Sequence, residues 1–158
     1  MSNTVINREA KNTETKLFGD FTIDQFNIMI KNNDLQLLLN KICSINNDEI
    51  SIDYRYFKPF ASIATYDLII NYIISTIDSV LSTYNTFTVR VCMKTLSVID
   101  AEKHNKFIYN ISKLFKERYT DKLNQCFIYN APFIFARVYD IIRPFIDKPT
   151  QNKIIMVK

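Results

Sequence analysis

The sequence predicts an α/β domain built on a small, mainly parallel sheet with flanking helices. Three observations predict it. Thr86 to Met93 alternates with the period of a strand, placing Phe87, Val89, Val91 and Met93 on one side and Thr88, Arg90 and Cys92 on the other. Between Ala101 and Tyr119, the residues Phe107, Ile108, Ile111, Leu114, Phe115 and Tyr119 keep helical spacing. From Asn124 to Ile154 the run NQCFIYNAPFIFARVYDIIRPFIDKPTQNKI sets out a strand, a sharp turn, an apolar helix and the start of another strand. Strands that alternate with helices of this length imply parallel pairing through right-handed crossovers.

Taken in order, residues 1–18 read as a polar, disordered arm and residues 19–158 as one domain. Thr22 with Gln25 three residues on resembles a capping box, and Phe26, Met29 and Ile30 make one face of a short helix that Asn32 and Asn33 break. Asp34 caps a second helix through Leu35, Leu38, Leu39 and Ile42. SINNDE reads as a polar loop. Ile50 to Phe57 then reads as a half-buried strand, with Ile52, Tyr54 and Tyr56 alternating with Ser51, Asp53 and Arg55 until Pro59 closes it. Ser62 or Thr65 starts a helix carrying Ile69, Ile70, Ile73, Ile74, Ile77 and Leu81. Asp100 is expected to cap the helix Ala101 to Tyr119, whose outer face bears Glu102, Lys106, Lys113 and Glu117. Gln125 to Tyr129 forms the next strand, and Pro132 suits the first position of a helix because it lacks an N–H there is nothing to pair with. Pro144 ends that helix, and Lys153 to Val157 supplies the last strand. Helix Ala101 to Tyr119 is expected on one face of the sheet and helix Phe133 to Phe145 on the other.

Composition excludes several functions. The chain has 158 residues, enough for one core without disulfides or metal, and a mild net charge of +4 spread over helix faces, which gives no reason to expect a nucleic-acid partner. Cys43, Cys92 and Cys126 are odd in number and lie in apolar settings, as reduced thiols of an intracellular core do. The polar N-terminus shows no signal peptide, and the apolar helix from Ile69 to Leu81 is too short to span a bilayer, so a cytoplasmic location is expected. A single glycine, Gly19, leaves no phosphate-cradling loop. His104 is the one histidine and reads as a solvated helical residue, while Asp48 and Glu49 fall in a polar loop. No catalytic set, metal site or cofactor is called for, and a non-enzymatic protein is expected.

The order Tyr119, Leu123, Ile128, Tyr129, Asn130, Ala131, Pro132, Phe135, Pro144, Phe145, Ile146, Asp147, Lys153, Ile154 resembles the CRAL-TRIO lipid-binding domain. That module serves phosphatidylinositol-transfer and tocopherol- or retinal-binding proteins. The resemblance implies a hydrophobic small molecule or phospholipid as partner, possession of a lipid pocket, and ligand contacts from Ile128, Asn130, Phe135, Tyr139 and Ile142. Basic residues concentrate near the C-terminus at Arg137, Arg143, Lys148, Lys153 and Lys158, and Arg137 and Arg143 are the expected headgroup or peripheral membrane contacts because guanidinium groups match phosphate. The apolar arc of helix Phe133 to Phe145 spans roughly 160°, wider than the stripe that seats a helix, which leaves part of it to line a cavity. Tyr72 to Val91 is as similar to the BCH-like branch of the fold, which implies a protein-interaction module as the alternative. Two departures stand out. Where the family has Asp-Leu-x-Gly-x-Ser, this sequence has Cys92, Met93, Lys94, Thr95, Leu96 and Ser97, and it stops at Lys158 before the family's gating helix. A reduced domain is therefore expected, whose apolar last strand KIIMVK would pair with a second copy or another protein.

Overall fold

A computed structural model describes residues 18–157. The arm expected over residues 1–18 lies outside the described residues except for Phe18, as does Lys158. Helix α1 spans Ile23–Lys31 and is capped by Thr22, whose hydroxyl accepts from the Gln25 N–H at 3.2 Å. Asp34 caps α2 (Leu35–Ile42) through the Leu37 N–H at 3.3 Å. The polar stretch expected to be a loop is instead a hairpin: β1 (Cys43–Asn46) turns at Asn47 and returns antiparallel as β2 (Glu49–Asp53). Asn47 takes the positive φ of 56° that the tight turn requires and that asparagine tolerates.

The strand expected over Ile50 to Phe57 ends at Asp53, and α3 (Tyr54–Phe60) follows directly. The Asp53 carboxylate decides this boundary. It accepts from the Arg55 N–H at 3.1 Å and holds the Arg55 guanidinium at 2.8 and 3.0 Å, so one buried acid caps the helix and neutralises its second residue. Arg55 also donates to the carbonyls of Phe18 and Gly19 at 3.1 and 2.9 Å.

Helix α4 (Tyr66–Leu81) returns the chain to β3 (Phe87–Cys92). Ser97, not Asp100, is the N-cap of α5 (Val98–Lys103); Asp100 completes the capping box by bonding back to the Ser97 N–H at 3.1 Å. The long helix expected from Ala101 breaks at His104, beyond which α6 spans Asn105–Arg118. Next come β4 (Leu123–Tyr129), α7 (Phe135–Ile142), a 3₁₀ turn over Arg143–Phe145, α8 (Lys148–Gln151) capped by Asp147, and β5 (Ile154–Val157). Asn130 adopts φ 52°, and the Phe135 N–H bonds to the Pro132 carbonyl at 2.9 Å, so a tight turn precedes the regular helix expected from Pro132.

Among the described residues the sheet has five strands in the order β1-β2-β3-β4-β5, antiparallel only between β1 and β2. Because the parallel strands advance in one direction, right-handed crossovers place every crossover helix on the same face. Opposite faces would need a reversal of strand order. This corrects the expected arrangement: α6 packs on α7 and on the 3₁₀ turn that follows it, where Tyr109 meets Phe145 edge-to-face at 5.0 Å. Beneath the helices the register aligns Ile50, Val89, Cys126 and Ile154 in one row and Ile52, Val91, Ile128 and Met156 in the next. Ile69, Ile73 and Ile77 of α4, Phe107 of α6, and Phe135 and Val138 of α7 join Ile50, Val89 and Ile128 in a common core. Tyr119 ties the far end together by donating to Asp78 at 2.8 Å.

Thr95, which stands where the family pattern has glycine, carries φ 75° and an exposed side chain. A β-branched residue is strained there, and its carbonyl is held by Lys58 Nζ at 2.9 Å. Thr95→Gly should therefore raise the unfolding free energy by about 1 kcal/mol, read as an upward shift of the urea midpoint at unchanged slope.

Candidate functional site

The structure brings four of the expected ligand residues around one core and leaves the polar ones apart. Ile128 and Phe135 are buried, 5% and 7% exposed, on the helix-covered side. Tyr139 and Ile142 are half-buried and pack against the same core. Asn130 is exposed, and its positive φ makes it the pivot of the turn. Arg137 and Arg143 are exposed at opposite ends of α7, roughly 9 Å apart along the axis and about 120° apart around it. They do not converge on one anion. Arg143 lies 3.5 Å from Asp140.

A cleft of about 150 Å³ opens on the other face of the sheet, at its β1–β2 end, lined by Phe18, Asn40, Lys41, Ser44, Ser51, Asp53 and Tyr56. It is polar and well below the roughly 300 Å³ at which small-molecule pockets begin, so it does not suit an acyl chain.

The more informative surface is the rest of that face, which runs from the Ser51 edge of the cleft across β3 to β5. Strand register aligns Ser51, Arg90, Phe127 and Ile155 in a row across four strands, all half-buried or exposed. The Arg90 guanidinium lies 4.6 Å from the Phe127 ring centroid, is held by both Glu49 oxygens at 3.0 and 3.1 Å, and donates to the Tyr129 hydroxyl. Tyr129 in turn meets the edge of Phe18 at 5.6 Å. A guanidinium neutralised by Glu49, an aromatic ring and an exposed aliphatic thus share one surface, a floor that can take an apolar chain. The alternation of FTVRVC already separates Arg90 from Val89 and Val91. That no crossover helix lies on the Arg90 side follows only from the strand order; among the described residues it is Phe18 that reaches Tyr129 there.

The CRAL/TRIO domain model matches residues 32–158, most of the chain. The chain belongs to the CRAL/TRIO domain family. Members of this family bind lipids and other hydrophobic small molecules. The fold is similar to that in the crystal structure of Sfh5, with a TM-score of 0.61 and 21% identity over 73% of this chain. This chain spans 46% of that one. Among curated proteins none matches.

The titratable groups of this CRAL/TRIO domain are arranged for structure. Among the described residues no group of three His, Cys, Asp or Glu side chains is placed to hold a metal ion, and no helix is long and apolar enough to cross a membrane. Burial pushes the Cys43 and Cys126 thiols up to about 12, which leaves them poor nucleophiles. His104, expected to be solvated, is 3% exposed. It lies where α3, α4 and the α5–α6 junction meet, with Nδ1 2.6 Å from the Tyr66 hydroxyl and the ring against Phe57 at 5.1 Å. Among the described residues its Nε2 has no hydrogen-bond partner. The Tyr54 hydroxyl is turned towards Asp100 without regular bond geometry. Burial works to raise the Asp100 carboxyl, but Tyr54, Lys58 and Ser97 around it hold it below the ordinary range.

Burial, reinforced by Lys103 and opposed by Asp100, lowers the His104 pKa below 6.5. The unfolded chain therefore binds this proton first, so His104 favours folding above 6.5 and loses that contribution as pH falls through the lowered value. Melting temperature should drop between pH about 7.5 and about 5, and His104→Gln should flatten that slope. Asp100 acts in a separate window below 3.8, so a loss confined to that range would assign the acid sensitivity to carboxylates instead.

Proposed function

We propose that this chain binds a lipid or another hydrophobic ligand without catalysing a reaction, with the sheet face opposite the crossover helices as the floor of the site. The observation that carries the reading is the Ser51–Arg90–Phe127–Ile155 row, where a guanidinium stacked on a ring sits among accessible apolar side chains. Family membership supports the ligand class. Ile128, Asn130, Phe135, Tyr139 and Ile142 form the second proposed lining, under α7. A cavity there requires α7 to part from the sheet, since Ile128 and Phe135 fill the common core. The open face requires no such movement. Arg137 and Arg143 are the proposed headgroup or membrane contacts. A phosphoinositide is the finer assignment, because a guanidinium pairs two-pronged with phosphate.

Offering phosphatidylcholine, phosphatidylinositol and a sterol, then weighing the intact protein by native mass spectrometry, tests the proposal. Wild type should carry bound lipid. Ile155→Glu, 37% exposed in the native protein, should reduce uptake about tenfold at an unchanged unfolding midpoint, because it puts a charge against the acyl chain. Phe135→Ala should cost about 3 kcal/mol of stability yet retain uptake while folded. The reverse pattern assigns the ligand to the α7 lining, and no uptake of any lipid removes the proposal.

The β5 edge favours a second reading, a protein-interaction module of the BCH-like type. Among the described residues β5 pairs only with β4, and Ile155 and Met156 are 37% and 45% exposed. Exposed apolar edges template further strands. On this reading the chain forms a homodimer or takes a protein partner, and light scattering should give a mass that rises towards twice the monomer with concentration. A single monomer mass at high concentration rules out the homodimer.

A further inference from the structure

Two adjacent rows on the sheet face opposite the crossover helices differ in exposure. Ser51, Arg90, Phe127 and Ile155 are half-buried or exposed. Two residues further along the same strands, Asp53, Cys92 and Tyr129 form the next row, at 4%, 0% and 5% exposure. The crossover helices do not account for that burial, because Phe87, Val89 and Val91 are the β3 side chains that join the core beneath them. Among the described residues, the segment that reaches this second row is 18–21. Phe18 meets Tyr129 edge-on at 5.6 Å, the Phe18 and Gly19 carbonyls accept from Arg55 at 3.1 and 2.9 Å, and Phe21 meets Tyr56 edge-on at 4.8 Å.

That attachment can be released without damage to the fold. Asp53 keeps the Arg55 guanidinium at 2.8 and 3.0 Å, so when the segment lifts only the two carbonyl bonds pass to water and no buried charge is left alone. Gly19 supplies the pivot. It is exposed, its φ is 67°, and nothing lies within 4 Å of where a Cβ would stand, so the backbone conformation and not crowding calls for glycine. Space to move is present as well, because Phe18, Asp53 and Tyr56 already border the cleft of about 150 Å³.

We infer that segment 18–21 is a retractable cover and that the Asp53–Cys92–Tyr129 row beneath it is a concealed half of the ligand floor. Neighbouring rows on one sheet face lie about 6.6 Å apart, close to the width of one hydrocarbon chain with its contacts. The accessible row therefore takes a single-chain ligand with the cover closed, and a two-chain lipid requires the cover to lift. The ligand half of this inference rests on the proposed function; the cover does not.

Thiol labelling of the whole chain without lipid tests the cover, since Cys92 lies in the concealed row while Cys43 and Cys126 face the helix-covered core. A maleimide should reach Cys92 by local opening, at a rate nearly independent of urea below the unfolding transition, and should reach Cys43 and Cys126 only through global unfolding. Phe18→Ala should raise the Cys92 rate about tenfold relative to Cys43, the order expected for losing one aromatic pair. One rate and one urea dependence for all three thiols overturns the inference, as does a Cys92 to Cys43 ratio that Phe18→Ala leaves unchanged. Native mass spectrometry tests the concealed row. With Cys92 carrying a bulky maleimide, uptake of single-chain lysophosphatidylcholine should persist and uptake of two-chain phosphatidylcholine should be lost. Equal effects on the two lipids overturn the assignment of this row to the ligand. Local opening at Cys92 in a chain that takes up no lipid upholds the cover and removes the proposed function.

Discussion

A parallel sheet is stable when both of its faces are covered, and in this chain the crossover helices can cover only one. Strand order decides that. Advancing from β2 to β5 without reversal, right-handed crossovers lay α4, α6 and α7 over the rows headed by Ile50 and Ile52. The same rule leaves Arg90, Phe127 and Ile155 on a face those helices cannot reach. The functional reading follows from this asymmetry, because the Arg90, Phe127 and Ile155 row, which no crossover helix covers, stays accessible among the described residues.

Much of the architecture was legible in the sequence. The alternation of FTVRVC, the spacing of Phe107 to Phe115, and the Asn-Ala-Pro turn each specify an element, and Thr22 and Asp34 cap where expected. The misreadings have physical causes. Tyr54, Arg55, Tyr56 and Phe57 are all buried, so α3 shows no polar face, and the chance alternation of tyrosine with arginine imitated a strand. In SINNDE the polar side chains of a short edge strand hid β1, although Asn47 is an ordinary turn residue. His104 looked solvated because neighbouring Lys103 and Asn105 are. Its burial arises from the break between α5 and α6, which turns it towards Tyr66 and Phe57.

The site was less legible than the fold, for a different reason. Periodicity identifies which residues face inwards, not whether the interior is filled or which sheet face stays open. Phe135 and Ile128 read equally well as pocket lining or as core, and both are packed into the core. Arg90 was separated from the apolar side of its strand by alternation alone, yet its importance depends on Glu49, Phe127 and Tyr129 from two other strands. Departures from the family pattern have local consequences: Thr95 carries a glycine's backbone geometry, while Ser97 keeps its place and caps α5.

The central claim is that a hydrophobic ligand occupies the sheet face opposite the helices. Methyl-resolved NMR of isoleucine side chains during titration with a short-chain phospholipid tests it most directly, because Ile155 lies on the open face and Ile50 and Ile128 lie beneath the helices. The account predicts saturable shifts at Ile155 with Ile50 and Ile128 unmoved. Shifts at Ile128 with Ile155 unchanged would place the ligand under α7 and contradict it.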